Sequence, residues 1–314
     1  MARMTLIIGV YADDLIITSS EQEDIDAFKR EMTAMFHMSD LGMLGYYLGI
    51  EVEQSNRDIT LCKCAYAKKL LEQCGMGDYK PCQATMEEKL KLLKDNVVAK
   101  VDTTRYRNIV GGMRYLTHTR PDISFAVGYV SRFMEEPQED HLAVIKHLLR
   151  YIAGTCGYGI VYSQRSTATL ELSAYSDSDM VGDVNTRQST TGVMFFLSDC
   201  PVSWQSQKQR IIALSTCEAE YIAAATASCQ GTWLRRLLQE LTGEVLCGPV
   251  LRVENKSAIA LARNPVLHDW SKDIDIKYHY IRDCIDGGCI KLEYVETARQ
   301  FGDILTQTLI RLRL

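Results

Sequence analysis

The sequence is short of several things, and each shortage removes a class of function. Across its 314 residues no apolar run approaches the ~18 residues a membrane span needs, so nothing points to a bilayer. The apolar stretch Thr5 to Val10 is cut off by Asp13 and Asp14 before a secretory signal core can form, which predicts an intracellular rather than a secreted protein. Basic residues are not in excess: 35 Lys and Arg face 40 Asp and Glu, for a net charge of −5. Bulk attraction to phosphate usually shows as a basic domain. A cluster of metal-binding acids, however, would subtract charge from the very face that meets a nucleic acid. Histidine is scarce at six residues, and no CxxC pair stands near a HxxxH partner, so zinc has little support. The 11 cysteines, Cys62 and Cys64 apart, are scattered and are expected as reduced, packed thiols.

What is present falls into two halves. Leu6 to Val10 and Leu15 to Ile17 flank Tyr11-Ala12-Asp13-Asp14, which predicts strand, tight turn, strand. An amphipathic helix is expected over Glu21 to Phe36, a second hairpin over Tyr46 to Glu53 and Asp58 to Leu61, and a short helix over Ala65 to Cys74. Lys80 to Thr103 is charged and aperiodic, and reads as a linker. Helices are expected over Thr104 to Leu116, from Pro121 to Met134, and over Gln138 to Ala153.

Beyond Gly159 the pattern turns to strands: Leu170 to Tyr175, Gly192 to Leu197, and Val202 to Trp204 continuing through Ile211 to Leu214. A long helix, Ser215 to Leu241, leads to strand Val250 to Val253, helices Lys256 to Ala262 and Ser271 to Asp286, strand Ile290 to Val295 and helix Arg299 to Leu309. Three antiparallel strands followed by alternating strands and helices predict an α/β fold, a mixed five-stranded sheet with flanking helices, behind an α+β N-terminal part. The expected division is 1–79, a linker 80–103, a helical unit 104–160, and 165–314.

Four acids of the second half fall at strand ends or in helices: Asp177, Glu218, Glu254 and Asp303. Taken singly, each is accounted for by capping and helix dipoles. Gathered together, they would repel one another unless a cation shared them. All-oxygen donors suit Mg²⁺ or Mn²⁺, and two such ions about 4 Å apart support phosphodiester hydrolysis. No well-placed histidine, cysteine or serine nucleophile offers another chemistry.

The words around these acids carry a resemblance. Tyr175 to Asp183 (YSDSDMVGD), Arg187 to Gly192 (RQSTTG), Ala213 to Ala224 (ALSTCEAEYIAA), Glu254 to Leu261 (ENKSAIAL), Ser271 to Arg282 (SKDIDIKYHYIR) and Val295 to Leu309 resemble the ribonuclease H domain of copia-type retrotransposon Pol polyproteins. The resemblance implies a ribonuclease H-like sheet whose metal-binding carboxylates are Asp177, Glu218, Glu254 and Asp303, two Mg²⁺ or Mn²⁺ ions, and RNA in RNA–DNA hybrids as substrate. Tyr11 to Asp14 looks like the YxDD turn of reverse transcriptases, in which Asp13 and Asp14 would hold magnesium. Leu41 to Glu53, Tyr106 to Leu116 and Thr119 to Met134 resemble the palm and thumb that follow it. An upstream aspartate strand and fingers region are expected to be missing, so the polymerase part is expected to be inactive.

By the same resemblance the partners would be other products of the polyprotein, and the compartment a cytoplasmic virus-like particle or the nucleus. Two departures stand out. Glu254 occupies a place where the family usually has Asp, and Met180 one where it usually has Trp. One extra methylene moves a carboxylate roughly 1 to 1.5 Å, and a misplacement of about 1 Å can cost on the order of a hundredfold in rate. A decayed remnant that binds nucleic acid, or nothing, without catalysis is therefore the second expectation. Arg187, Lys208, Arg210 and Lys256 lie near the motifs, as phosphate contacts or as solvated charge. Trp204, Trp233 and His279 are expected to be structural.

Overall fold

The computed structural model describes residues 6–77, 79–94, 97–163, 170–263 and 280–308. Strands β1 (Leu6–Tyr11) and β2 (Asp14–Ser19) pair antiparallel with Tyr11 opposite Asp14. The turn is therefore Ala12-Asp13, with Ala12 at φ 49°, the positive φ that a two-residue hairpin loop requires. Helix α1 (Gln22–Met35) follows and has no buried residue.

The second hairpin grows into a larger sheet than its sequence suggests. Strands β3 (Tyr46–Tyr47), β4 (Ile50–Gln54) and β5 (Asp58–Cys62) are joined by β6 (Gly159–Ser163), which returns after the helical unit and pairs with β5. Gly159 makes this return possible, because a Cβ there would lie 2.2 Å from the Leu61 carbonyl. The helical unit thus begins and ends on one sheet, and a boundary at residue 160 would cut that sheet.

Helices α2 (Cys64–Gln73), α3 (Thr103–Leu116), α4 (Ser124–Val130) and α5 (Glu139–Gly154) share one core built on Tyr106, Val110, Met113, Val127, Ile145, Leu148 and Ile152. Pro121 opens a 3₁₀ turn (Pro121–Ile123) that runs into α4, and Asp102 caps α3 through the Thr104 and Arg105 amides. Among the described residues of 80–102 there are only isolated bridge positions and no helix or longer strand, yet the segment is not a free linker. Met86 and Leu92 sink into the helical core, His147 Nε2 lies 3.0 Å from the Ala84 carbonyl, and His141 Nε2 lies 3.0 Å from that of Leu93. Both histidines fasten this strap.

The second half holds β7 (Leu172–Ser178), β8 (Thr190–Leu197), β9 (Cys200–Lys208), helix α6 (Thr216–Thr242), β10 (Val250–Val253), helix α7 (Lys256–Arg263) and β11 (Lys291–Tyr294). The sheet order is β11-β10-β7-β8-β9, with β7, β8 and β9 antiparallel and β7, β10 and β11 parallel. This is the mixed five-stranded sheet the sequence predicts. Helix α6 covers one face, burying Tyr221, Ala224 and Ala227 against Val193, Phe195 and Leu251.

Three details differ from the sequence reading. Strand β9 ends at Lys208, because Ala213 tucks beneath the start of α6 with Ala219 and Ile222 rather than extending an edge. The expected last helix is two 3₁₀ turns, Thr297–Arg299 and Phe301–Leu305. Trp204 donates its indole N–H to the Thr117 carbonyl at 2.9 Å and so ties the halves together, whereas Trp233 is 55% exposed and is no core residue. Residues 280–286 are helical; His279, the earlier part of the expected helix from Ser271, and Leu309 lie outside the described residues.

Candidate metal centre

Parallel pairing of β7 and β10 puts Val253 opposite Ser176, so the next residues, Asp177 and Glu254, emerge side by side at the strand ends. Helix α6 brings a third carboxylate, Glu220. Asp177, Glu220 and Glu254 each offer an oxygen within 4.8 Å of the others, and among the described residues no other group of His, Cys, Asp or Glu has this geometry. Asp303, in the turn Phe301–Leu305, lies under the charge of Asp177 and Glu254.

Glycines let that turn close over the sheet. Gly192 pairs with Asp177 on β8, and a Cβ there would lie 2.7 Å from Thr306 Cγ2 and 2.9 Å from the Gly302 carbonyl. A Cβ on Gly302 would lie 2.9 Å from that of Asp177. Thr306 donates to Asp177, and the buried Gln300 side chain donates to the Ser176 carbonyl at 2.9 Å.

The electrostatics are those of an anion cluster without a counter-charge. Burial, then the charges of Asp177 and Glu254, push Glu220 up to about 9. The same causes push Asp303 to about 7. Asp177, the most deeply buried, is raised by burial despite its hydrogen bonds, and Glu254 is raised by burial and by Asp177. Glu220 Oε2 and Glu254 Oε2 are buried with no hydrogen-bond partner. A buried carboxylate oxygen left unpaired costs on the order of 1–3 kcal/mol or more. Orphaned acceptors, mutual repulsion and all-oxygen donors together fit a hard divalent cation.

Glu218 stands elsewhere. Ser215 caps α6 by accepting from the Glu218 amide at 3.2 Å, and the Glu218 carboxylate accepts from the Leu214 amide at 2.6 Å. Ser215 is the N-cap and Glu218 reaches back to the amide just before it, so the helix's own start claims the residue. Glu220, two positions on and about 200° around the helix, shares a face with Ala224 and Ala227 and points at the sheet. The sequence signal was available: STCE is a capping pattern, and Glu220 interrupts a buried apolar stripe.

Of the four candidate phosphate contacts, Arg187 and Arg210 are exposed, while Lys208 and Lys256 are already engaged. Lys208 Nζ lies 3.0 Å from the buried Asp183, and Lys256 Nζ lies 4.4 Å from the Tyr294 ring centre. Burial would raise Asp183, but hydrogen bonds from Lys208, the Asn185 amide and Thr186 outweigh it and hold the carboxyl at about 2. Asp13 and Asp14 sit in the exposed β1–β2 turn, apart from the acidic cluster.

The N-terminal hairpin, the helical unit and the five-stranded mixed sheet with its acidic centre make a mixed α/β chain. The family described as reverse transcriptase (RNA-dependent DNA polymerase) matches residues 1–88. The chain is 38% identical over 302 residues to the Retrovirus-related Pol polyprotein from transposon RE1 of Arabidopsis thaliana, covering 96% of this chain and 20% of that one. Against the polyprotein from transposon TNT 1-94 of Nicotiana tabacum it is 36% identical, covering 98% and 23%. A putative transposon Ty5-1 protein of Saccharomyces cerevisiae is 34% identical, with 69% and 71% covered. The chain belongs to the copia-type retrotransposon Pol family, and spans about a fifth of the length of those polyproteins. Among solved structures, a foamy viral protease-reverse transcriptase in complex with dsDNA shares the fold at TM-score 0.51 and 11% identity, over 92% of this chain and 55% of that one.

Proposed function

We propose that this chain is a divalent-metal-dependent ribonuclease acting on the RNA strand of RNA–DNA hybrids, with Asp177, Glu220, Glu254 and Asp303 as its metal ligands. The observation that carries the reading is the gathering of Asp177, Glu220 and Glu254 within 4.8 Å, with two orphaned, buried oxygens and Asp303 under their charge, in a chain of the copia Pol family. Two Mg²⁺ or Mn²⁺ ions, when bound, supply an activated water and charge stabilisation at the leaving oxygen. The protein holds Asp177 in place through Thr306 and Gly192, Asp303 through the turn over the sheet, and Glu220 through helix α6. Such a centre reads backbone and helix shape rather than bases, so cleavage is expected to be independent of sequence.

The test is hydrolysis of a labelled RNA–DNA hybrid with Mg²⁺ or Mn²⁺. Cleavage by the parent and its loss in Asp177→Asn supports the assignment; cleavage that survives Asp177→Asn refutes it. Glu254 favours a second reading, a remnant with little or no catalysis. Under that reading the parent is slow and Glu254→Asp, which restores the shorter side chain, is on the order of a hundredfold faster. A revertant no faster than the parent removes Glu254 as a handicap.

For the polymerase segment, we propose that these 314 residues do not extend a primer. Asp13 and Asp14 lie in a hairpin turn with no third carboxylate gathered to them among the described residues. Purified protein on a primed RNA template is expected to give no product. Extension that Asp13→Asn abolishes would overturn this.

A further inference from the structure

A groove of about 590 Å³ lies where the helical unit meets the edge of the second sheet, between α4 and β9. Helix α4 packs close to β9 here, a Cβ added at Gly128 coming within 3.9 Å of the Ser206 carbonyl. The charged residues lining the groove are all of one sign or protonatable: Arg114, His118, Arg132 and Lys208, with no aspartate or glutamate among them. In a chain with five more acids than bases, that local excess is notable. The remaining lining is mostly hydroxyl and amide donors from both sides, together with Trp204.

Lys208 is paired with Asp183 at 3.0 Å, but the two arginines are under-used. Arg114 is exposed, and its guanidinium has neither hydrogen bond nor ion pair among the described residues. Arg132 is nine-tenths buried; its Nη2 donates to Thr190 Oγ1 at 3.0 Å, but Nη1 has no hydrogen-bond partner and stands 3.8 Å from Asp183. A buried guanidinium nitrogen without an acceptor is costly, and anionic oxygens entering the groove would relieve that cost. The groove is also separate from the acidic centre. Ser206 pairs with Gly192, which pairs with Asp177, so the groove wall lies two strand spacings, about 10 Å, from Asp177. The turn Phe301–Leu305 stands between them, with Ser206 Oγ donating to the Leu305 carbonyl at 2.6 Å.

We propose that this groove is a second, metal-independent binding site for the phosphates of a single nucleic-acid strand. The strand would track β9 from Val202 toward Gln207, with Arg114 meeting phosphates in the open and Arg132 adding its field from beneath. Positive charge along a groove with one aromatic side chain is the chemistry by which single strands are held without sequence preference. The volume exceeds what a lone phosphate fills and falls in the range of nucleotide-sized ligands.

The full 314-residue protein, in EDTA, is titrated against a fluorescent 12-nucleotide single strand and anisotropy is read. Arg114→Glu/His118→Glu, both at exposed positions, is expected to weaken binding at least tenfold and to lower the slope of log K against log salt by about one. Lys146→Glu, a matched reversal on the exposed side of α5, is expected to stay within about twofold of the parent. Equal losses in the two variants, or none in the first, would overturn the proposal. So would competition by inorganic phosphate or a mononucleotide as effective, per phosphate, as the oligonucleotide, because the site would then hold free phosphate. Melting curves of each variant show whether it is folded. Because EDTA strips the acidic centre, failure of this site and failure of the nuclease reading are separate results.

Discussion

Replacing Glu220 with Gln is expected to lower hybrid cleavage at least about a hundredfold and, at the same time, to raise the stability of the metal-free protein. Replacing Glu218 with Ala is expected to leave cleavage nearly unchanged and to lower that stability. Glutamine keeps the volume of Glu220 but needs no proton to sit beside Asp177 and Glu254, whereas burial and their charges force the carboxyl to take one up, holding it at about 9. The same change removes an anionic ligand oxygen from a centre whose geometry tolerates little displacement. Glu218 is remote from that balance. Its carboxylate accepts from the Leu214 amide, and losing such a cap costs roughly 0.5–2 kcal/mol, a drop of a few degrees in melting temperature. Cleavage in Glu218→Ala is expected within about threefold of the parent. Hybrid cleavage and thermal melting in EDTA, run on both variants, decide the matter. If Glu218→Ala is the dead enzyme and Glu220→Gln the active one, the centre is wrongly drawn.

That exchange of one glutamate for another marks where the sequence stops being legible. The sheet was readable because β-branched runs, turn residues and the long Ala-rich helix all point to one architecture, and strand order β11-β10-β7-β8-β9 agrees with it. Asp177 and Glu254 were readable because residues just past the ends of neighbouring strands must meet. Helix α6 was harder. Two glutamates two residues apart face different ways, and only the capping role of Ser215 and the buried stripe Glu220–Ala224–Ala227 say which one turns inward. Strand β6 escaped notice because its partner β5 is far off in sequence, and no local pattern encodes a long-range edge. Residues 80–103 misled for another reason: a segment without periodicity still packs when Met86 and Leu92 find a core and two of its carbonyls accept from histidine rings. The acidic pI hid a basic groove, since a sum over the chain says nothing of where charges gather.

The acidic centre also sets how the protein should answer to pH without metal. Glu220, held at about 9, and Asp303, at about 7, bind protons in the folded state that the unfolded chain releases at ordinary carboxylate values. Their contribution to stability is present in full below about pH 4.5 and is lost as the pH rises, through about 7 for Asp303 and about 9 for Glu220. Asp183 has the opposite sign: held at about 2, it adds stability above pH 4 that disappears only in stronger acid. The melting temperature in EDTA is therefore expected to peak near pH 5 and to fall toward pH 9, with Glu220→Gln flattening the decline. A divalent cation takes the place of the protons, so its binding releases them and tightens as the pH rises. Manganese at a hundred times its Kd should add about 2.7 kcal/mol, which is on the order of 5–10 °C for a unit of this size. That gain should be larger at pH 8 than at pH 6. A melting temperature that climbs from pH 5 to pH 9 in EDTA, or a manganese shift that survives Asp177→Asn with Glu220→Gln, would show that these carboxylates do not share a cation.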